Sequence, residues 1–244
     1  MTIGERVVVV TGAASGIGRA LAEGFAADEA RVVGVDLTSD ALSTLSDSID
    51  GIVADVTSAA EVARVLTSTL EAHGRIDVWF NNAGIVDAGP FLEGPFADRQ
   101  RVIDVNLTGL ARCAHAVLPV MQSAGYGRLI NVVSRAAENS AGGASAYAAS
   151  KATAVSLTLS LAVIAAQLDA DVLVNRMIPG PTTKPIWRAT RSDLQDPEVV
   201  YPHALRLATL PEGGPNGLIF WNSEPYPIFE RFTAVLKQDA EELS

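Results

Sequence analysis

Four consecutive valines, Val7–Val10, run directly into Thr11-Gly12-Ala13-Ala14-Ser15-Gly16-Ile17-Gly18. An unbroken run of β-branched residues reads as a strand buried on both faces, and the glycine-rich turn behind it reads as the entry to a helix. Gly12 permits the tight turn, Gly16 lets the backbone approach a pyrophosphate, and Gly18 lets helix and strand pack closely. A phosphate placed there meets the unpaired N–H groups and the positive end of the helix. Ser15 and Ile17 belong to the same loop and join the three glycines as candidate dinucleotide contacts. Alone the turn is modest support, because glycine-rich turns after strands often serve geometry only.

The alternation continues along the chain. Strand-like runs fall at Val7–Val10, Arg31–Val35, Gly51–Ala54, Val78–Phe80, Arg128–Val133, Val172–Ile178 and Gly217–Trp221. Helix-like segments lie between them at Gly16–Ala27, Ser58–His73, Ala97–Met121 and Ala146–Gln167. Valine- and isoleucine-rich strands alternating with amphipathic helices predict a parallel sheet covered on both faces. Right-handed crossovers make it a doubly wound, Rossmann-like α/β/α sandwich. With no linker, repeat or low-complexity stretch, residues 1–244 read as a single domain. Pro202–Pro227, rich in Pro and Gly, reads as turns around the last strand.

The net charge of −10 argues against a nucleic-acid partner held by phosphate contacts. One cysteine, Cys113, excludes an internal disulfide and, with three histidines, leaves no metal cluster. Cys113 reads as a small core residue, and His73, His115 and His203 as surface or packing residues. No signal peptide is visible, and Val155–Ala166 is too short to span a bilayer. A cytoplasmic protein with no membrane partner is expected.

Two further features carry chemistry. Asp36 closes the second strand eighteen residues after Gly18, where a carboxylate accepts from both adenosine ribose hydroxyls and repels a 2′-phosphate. The plainer reading of Asp36 is a turn cap. Tyr147 and Lys151 stand four apart, so on a helix they share a face. A phenol with a pKa near ~10 is a poor base at neutral pH, and a neighbouring ammonium favours its phenolate. By itself such a pair reads as an ordinary helix surface. Asn81 reads as a brace of the sheet and Asp77 as a cap.

The glycine turn, Asp55-Val56, Asn81-Asn82-Ala83-Gly84, Asn106, Ser134 thirteen residues before Tyr147, Tyr147-x-x-x-Lys151 and Pro179-Gly180 occur in one order. In that order they resemble the short-chain dehydrogenases/reductases of ordinary length, from about Val7 to Thr183. The resemblance implies a catalytic set of Asn106, Ser134, Tyr147 and Lys151. Ser134 would hold the substrate oxygen, Tyr147 exchange its proton, Lys151 also bind the nicotinamide ribose, and Asn106 position a relay water. It places Asp55 and Val56 at the adenine, the backbone from Asn82 through Ala83 to Gly84 along the cofactor, and Pro179-Gly180 on the nicotinamide. Ser15 and Leu37 occupy positions where NADP-preferring members tend to carry a basic residue, so NAD is expected over NADP.

Three departures stand out. Val133 replaces the first of two serines. Lys184 stands where the family commonly has a Thr contacting the carboxamide, so either Thr183 takes that contact or the loop binds differently; Thr182 is counted with the cofactor residues. The usual Asp-Gly-Gly ending is absent, replaced by Gly213-Gly214-Pro215-Asn216-Gly217 and a Pro- and aromatic-rich tail.

The resulting expectation is an NAD(H)-dependent enzyme interconverting a secondary alcohol and a ketone. The alternative is a catalytically silent NAD-binding regulatory or scaffold protein of the same fold. By resemblance, the helices Ala97–Met121 and Ala146–Gln167 pair between subunits in a homotetramer, with a dimer as the alternative. The resemblance also implies a substrate lid at 184–205, where Trp187, Arg188 and Tyr201 suggest a partly aromatic pocket or plain packing. The tail, about 222–244, is expected either to shape the substrate site or to dock purely for stability.

Overall fold

The computed structural model describes residues 2–86, 89–138, 143–182 and 194–228. Thr183, Lys184, Trp187, Arg188 and the tail from Phe229 onward lie outside the described residues. Seven parallel strands form one sheet: β1 (Val7–Thr11), β2 (Arg31–Asp36), β3 (Ile49–Val53), β4 (Val78–Asn81), β5 (Tyr126–Val132), β6 (Asp171–Ile178) and β7 (Ile219–Trp221). A short eighth, β8 (Glu224–Pro225), pairs antiparallel with β7, and the spatial order is 3-2-1-4-5-6-7-8.

Both faces of the sheet are covered, and the valines of β1 show why the run is unbroken. Val8 and Val10 pack with Leu21 and Phe25 of α1 (Gly16–Ala27) on one side. Val9 packs on the other with Val62 and Val65 of α3 (Ala59–His73). Each valine is fully buried, so neither face tolerates a polar alternation. Between β2 and β3 lies a one-turn helix, α2 (Ser39–Leu42). The expected long helix Ala97–Met121 is two α-helices, α4 (Phe96–Ile103) and α5 (Leu110–Ser123), joined through a π-helical turn at Asp104–Gly109. Cys113 is a buried core residue of α5, its thiol pushed up to about 12, chiefly by burial.

The last helix on the site side, α6 (Ser145–Ala165), has the length and hydropathy of a membrane span, with a mean hydropathy of 1.5. It is a core helix: Ser150, Lys151, Ala154, Val155, Thr158, Ala162 and Ala165 recur at helical spacing and are buried.

One expectation is corrected near the C-terminus. Pro202–Pro227 is not only turns, because Tyr201–Ala208 forms α7, with Pro202 in its first turn where no N–H is needed. The Tyr201 ring, in the expected lid segment, faces α1. It packs edge-on against Phe25 at 5.1 Å, and its hydroxyl donates to Asp28 at 2.5 Å. Those partners lie at the far end of α1 from the glycine turn, so the described half of the expected lid is tied to α1. Asn81 does brace the sheet: it donates to Asn131 of β5 and accepts from the Trp79 indole, both at 2.8 Å. Asp77 is buried and accepts from the Val7 N–H at 2.8 Å, capping the start of β1.

Candidate active site

The strand order reverses between β1 and β4, and at such a switch point the loops beyond the carboxyl ends part to leave a crevice. The loop after β1 is the glycine turn. Gly12 has φ +68°, which an L side chain rarely adopts, and a Cβ there would lie 2.9 Å from the Ala83 Cα. A Cβ on Gly18 would lie 1.9 Å from the Gly12 carbonyl oxygen. Helix α1 therefore packs on its own entry turn at a distance only glycine permits. Ser15 is the N-cap residue but its side chain makes no capping bond, which leaves the first N–H groups of α1 to an outside acceptor.

The loop after β4 crosses directly beside this turn. Thr11 Oγ1 accepts from the Asn82 and Ala83 N–H groups at 3.0 and 3.1 Å, and the Asn82 amide donates to the Thr11 carbonyl at 2.9 Å. At the end of β2, Asp36 accepts from the Ala14 N–H at 2.9 Å and the Leu37 N–H at 2.7 Å. Both bonds fix a carboxylate at the edge of the crevice. Asp55 accepts from the Thr57 N–H at 2.8 Å, and Val56 is buried under Gly109, where an added Cβ would meet Val56 Cγ2 at 2.7 Å. These residues together form a lined trough with a positive helix end and an ordered carboxylate, and they fit a dinucleotide.

Along β5 the crevice leads to Ser134, just past the strand end, and to Tyr147 and Lys151 on α6. Ser134 Oγ accepts from the Ala136 N–H at 3.1 Å and shares a hydrogen bond with the Tyr147 side chain. Lys151 donates to the Val132 carbonyl at 2.9 Å, and its Nζ lies 5.7 Å from the Tyr147 ring centre. The three groups predicted to act together are thus brought together. Their electrostatics differ from the expectation built on the lysine alone. Burial pushes the Tyr147 phenol up, and the Ser134 hydrogen bond offsets only part of that. Burial also pulls the Lys151 ammonium down to about 8. Loss of hydration, which disfavours the phenolate, is the largest cause of that rise.

Asn106 sits in the π-helical turn. Its amide donates to the Ile85 carbonyl at 2.9 Å and to Ser150 Oγ at 3.0 Å, and its Oδ1 accepts from the Ile85 N–H at 2.8 Å. The side chain thereby ties the bulge to the post-β4 loop. Ser150 passes the link on by donating to the Tyr147 carbonyl at 2.7 Å. Ser150 was not among the sequence candidates. It stands one residue before Lys151, and nothing in its spacing marks it. Gly84 faces this group: a Cβ there would lie 3.2 Å from Asn106 Oδ1 and 3.6 Å from Lys151 Nζ.

Beyond β6, Gly180 has φ +77°, turning the chain after Pro179. Thr182 is buried and bridges to Gln195. His203, unmatched to any motif, pairs with Ser223 Oγ at 2.7 Å, and His73 with Asp50 at 2.8 Å. Among the described residues, no three His, Cys, Asp or Glu side chains converge as a metal site requires.

The sequence pattern of the family described as short chain dehydrogenase matches residues 6–195. The chain is 38% identical over 185 residues to 2-dehydro-3-deoxy-L-rhamnonate dehydrogenase (NAD(+)) of Sphingomonas sp. (strain SKA58), covering 74% of each. It is 36% identical over 205 residues to the oxidoreductase UcpA of Escherichia coli (strain K12), covering 80% of this chain and 77% of that one. A short chain dehydrogenase from Bacillus anthracis str. 'Ames Ancestor' superposes with a TM-score of 0.82 at 28% identity, over 90% of this chain and 95% of the other. The crevice, the ordered motifs beside it and these likenesses have one explanation: the chain is an oxidoreductase that belongs to the short-chain dehydrogenase family.

Proposed function

We propose that this protein interconverts a secondary alcohol and a ketone with NAD(H), using Tyr147 as the proton-transferring acid and base. The observation that carries this reading is the Ser134–Tyr147 hydrogen bond with Lys151 beside it, at the end of the crevice that the glycine turn opens. A nicotinamide held by the glycine turn, Asp36 and Lys151 would supply the hydride acceptor or donor. Tyr147 takes the proton of the alcohol oxygen in oxidation and returns it to the carbonyl oxygen in reduction. Ser134, already hydrogen-bonded to Tyr147, holds the substrate oxygen at the phenol. Lys151 offers the donors on its Nζ not given to Val132 to the cofactor ribose, and its charge lowers the cost of the phenolate. Asn106 and Ser150 hold Tyr147, the bulge and the post-β4 loop in register.

NAD is favoured over NADP by Asp36. Its carboxylate is pinned by two backbone N–H groups, so it cannot swing aside for a 2′-phosphate, and Leu37 next to it supplies no positive charge. The NAD(+) in the name of the Sphingomonas relative agrees with this choice.

The test is a panel of secondary alcohols and ketones assayed by the nicotinamide absorbance with NAD and NADP, for the wild type and Tyr147→Phe. Turnover with NAD in the wild type, and its loss in Tyr147→Phe with NADH binding retained, is the expected result. Near-wild-type turnover in Tyr147→Phe refutes the assignment. NADH binding without turnover of any member of the panel points to the regulatory reading.

A further inference from the structure

The serine loop is held from outside by a part of the chain that carries none of the family's motifs. Ser134 opens a single 3₁₀ turn, Arg135–Ala137, closed by Glu138. The Arg135 guanidinium lies over the Trp221 indole, 4.7 Å from its centre. Glu138 accepts a hydrogen bond from the Tyr226 hydroxyl and stands 3.9 Å from Arg135 Nε. Trp221 and Tyr226 in turn meet edge-on at 5.3 Å. Both ends of the turn that Ser134 begins are therefore gripped by one pair of aromatic residues.

Strand register explains why that pair stands there. Val132 is level with Met177, and Met177 and Ile178 are level with Phe220 and Trp221. Trp221 thus ends β7 at the same edge where β5 delivers Ser134 and β6 delivers Pro179-Gly180. A Cβ on Gly180 would lie 3.8 Å from the indole Nε1, so the ring borders the post-β6 turn as well as the serine loop. The hairpin itself is firmly made. Asn222 and Ser223 adopt φ of +50° and +65°, the paired left-handed conformations of a two-residue hairpin turn. The Tyr226 N–H donates to Ile219 at 2.8 Å, and Ser223 is fixed to His203 of α7.

We propose that Trp221 and Tyr226 are positioning residues: the β7–β8 hairpin clasps the serine loop and sets the Ser134 hydroxyl against Tyr147. Arg135 and Glu138 are the two points of grip, and the attachment to α7 gives the clasp its fixed end. This deepens the alcohol–ketone reading and rests on it for its kinetic consequence, though not for its structural one.

Three variants test the clasp in the whole chain. Tyr226→Phe removes only the hydroxyl that Glu138 accepts. Trp221→Leu removes the aromatic face beneath Arg135, and Trp221→Phe restores one. Hydrogen exchange of the Ala136, Ala137 and Glu138 amides, which the turn protects through Ser134 and Arg135, reads the loop without need of turnover. Tyr226→Phe should speed their exchange about tenfold, the loss expected for one hydrogen bond to a charged group, and Trp221→Leu by a similar factor through the lost cation–π contact, with β5 and α6 unaltered. In the same variants kcat should fall about tenfold while the NADH Kd stays constant, and Trp221→Phe should recover most of both effects. Unchanged exchange in the turn overturns the clasp. Faster exchange there with wild-type kcat, or faster exchange spread across the sheet with a lower Tm, shows a merely structural contact and overturns the positioning role. A wild type without turnover refutes the alcohol–ketone reading instead, and the exchange rates then still decide the clasp.

Discussion

Lys151 is a buried cation with no carboxylate beside it among the described residues, and that should make the protein more stable in mild alkali relative to a variant lacking the charge. The side chain is 5% exposed, and burial lowers its pKa from 10.5 to about 8. At pH 7 the folded protein must keep an ammonium where it is poorly hydrated. Each pKa unit is about 1.36 kcal/mol, so the charge costs about 3 kcal/mol there. Between pH 8 and 10.5 the folded chain has released this proton while the unfolded chain still holds it, so stability rises with pH in that window. At pH 9.5 the remaining cost is about 1 kcal/mol, a relief of about 2 kcal/mol. The assay is urea unfolding of the cofactor-free protein at pH 7 and 9.5, for the wild type and for Lys151→Met. The comparison cancels the other alkaline titrations, notably the Cys113 thiol, whose raised pKa works in the opposite direction. Wild-type stability measured against Lys151→Met should rise by about 2 kcal/mol between the two pH values. A flat difference refutes the desolvated ammonium. The same substitution should impair both NADH binding and turnover, since a group kept at such a cost in the crevice is kept for what binds there.

Asp36→Ala combined with Leu37→Arg should shift the kcat/KM ratio from NAD toward NADP, and a wild type already preferring NADP refutes the role given to Asp36. Gly18→Ala should cost about 3 kcal/mol or more of unfolding free energy and weaken NADH binding, because its methyl group would lie 1.9 Å from the Gly12 oxygen; a wild-type Tm and Kd refute the close-approach argument. Leu159, Val163 and Ile164 of α6 remain 48%, 61% and 49% exposed beside the packed face of that helix, so light scattering should give a tetramer, and a particle of 25.5 kDa at micromolar concentration refutes it.

What was legible in the sequence was what depends on near neighbours in the chain. The valines of β1, the glycine turn and the Tyr147–Lys151 spacing are local patterns with one geometry each, and the structure places all three where periodicity and spacing predict. The π-helical turn at Asp104–Gly109 was not legible, because its cause is remote. Asn106 reaches Ile85 and Ser150, and Gly109 lies against Val56, contacts fixed only after three other elements have packed. Pro202 disguised α7 as a turn, since a proline is read as a breaker unless the first helical position is recognised around it. The Tyr147 environment was misjudged for a related reason. Spacing brings an ammonium to a phenol, but only the packed structure shows that both have lost their water, and that loss decides the direction of the shift.

The hairpin shows the same limit from the side of function. Asn222-Ser223 between Trp221 and Glu224 is a turn signal, and reading it would have given β8. No spacing, however, links Tyr226 to Glu138, which lie 88 residues apart and meet because β5, β6 and β7 end level. A family's motifs mark the groups that touch cofactor and substrate, since those must keep one chemistry. The groups that aim them need only reach them from whatever part of the chain arrives at the same edge of the sheet. In this protein that part is the segment replacing the family's usual ending, so its departure from the pattern falls where the position of Ser134 is set.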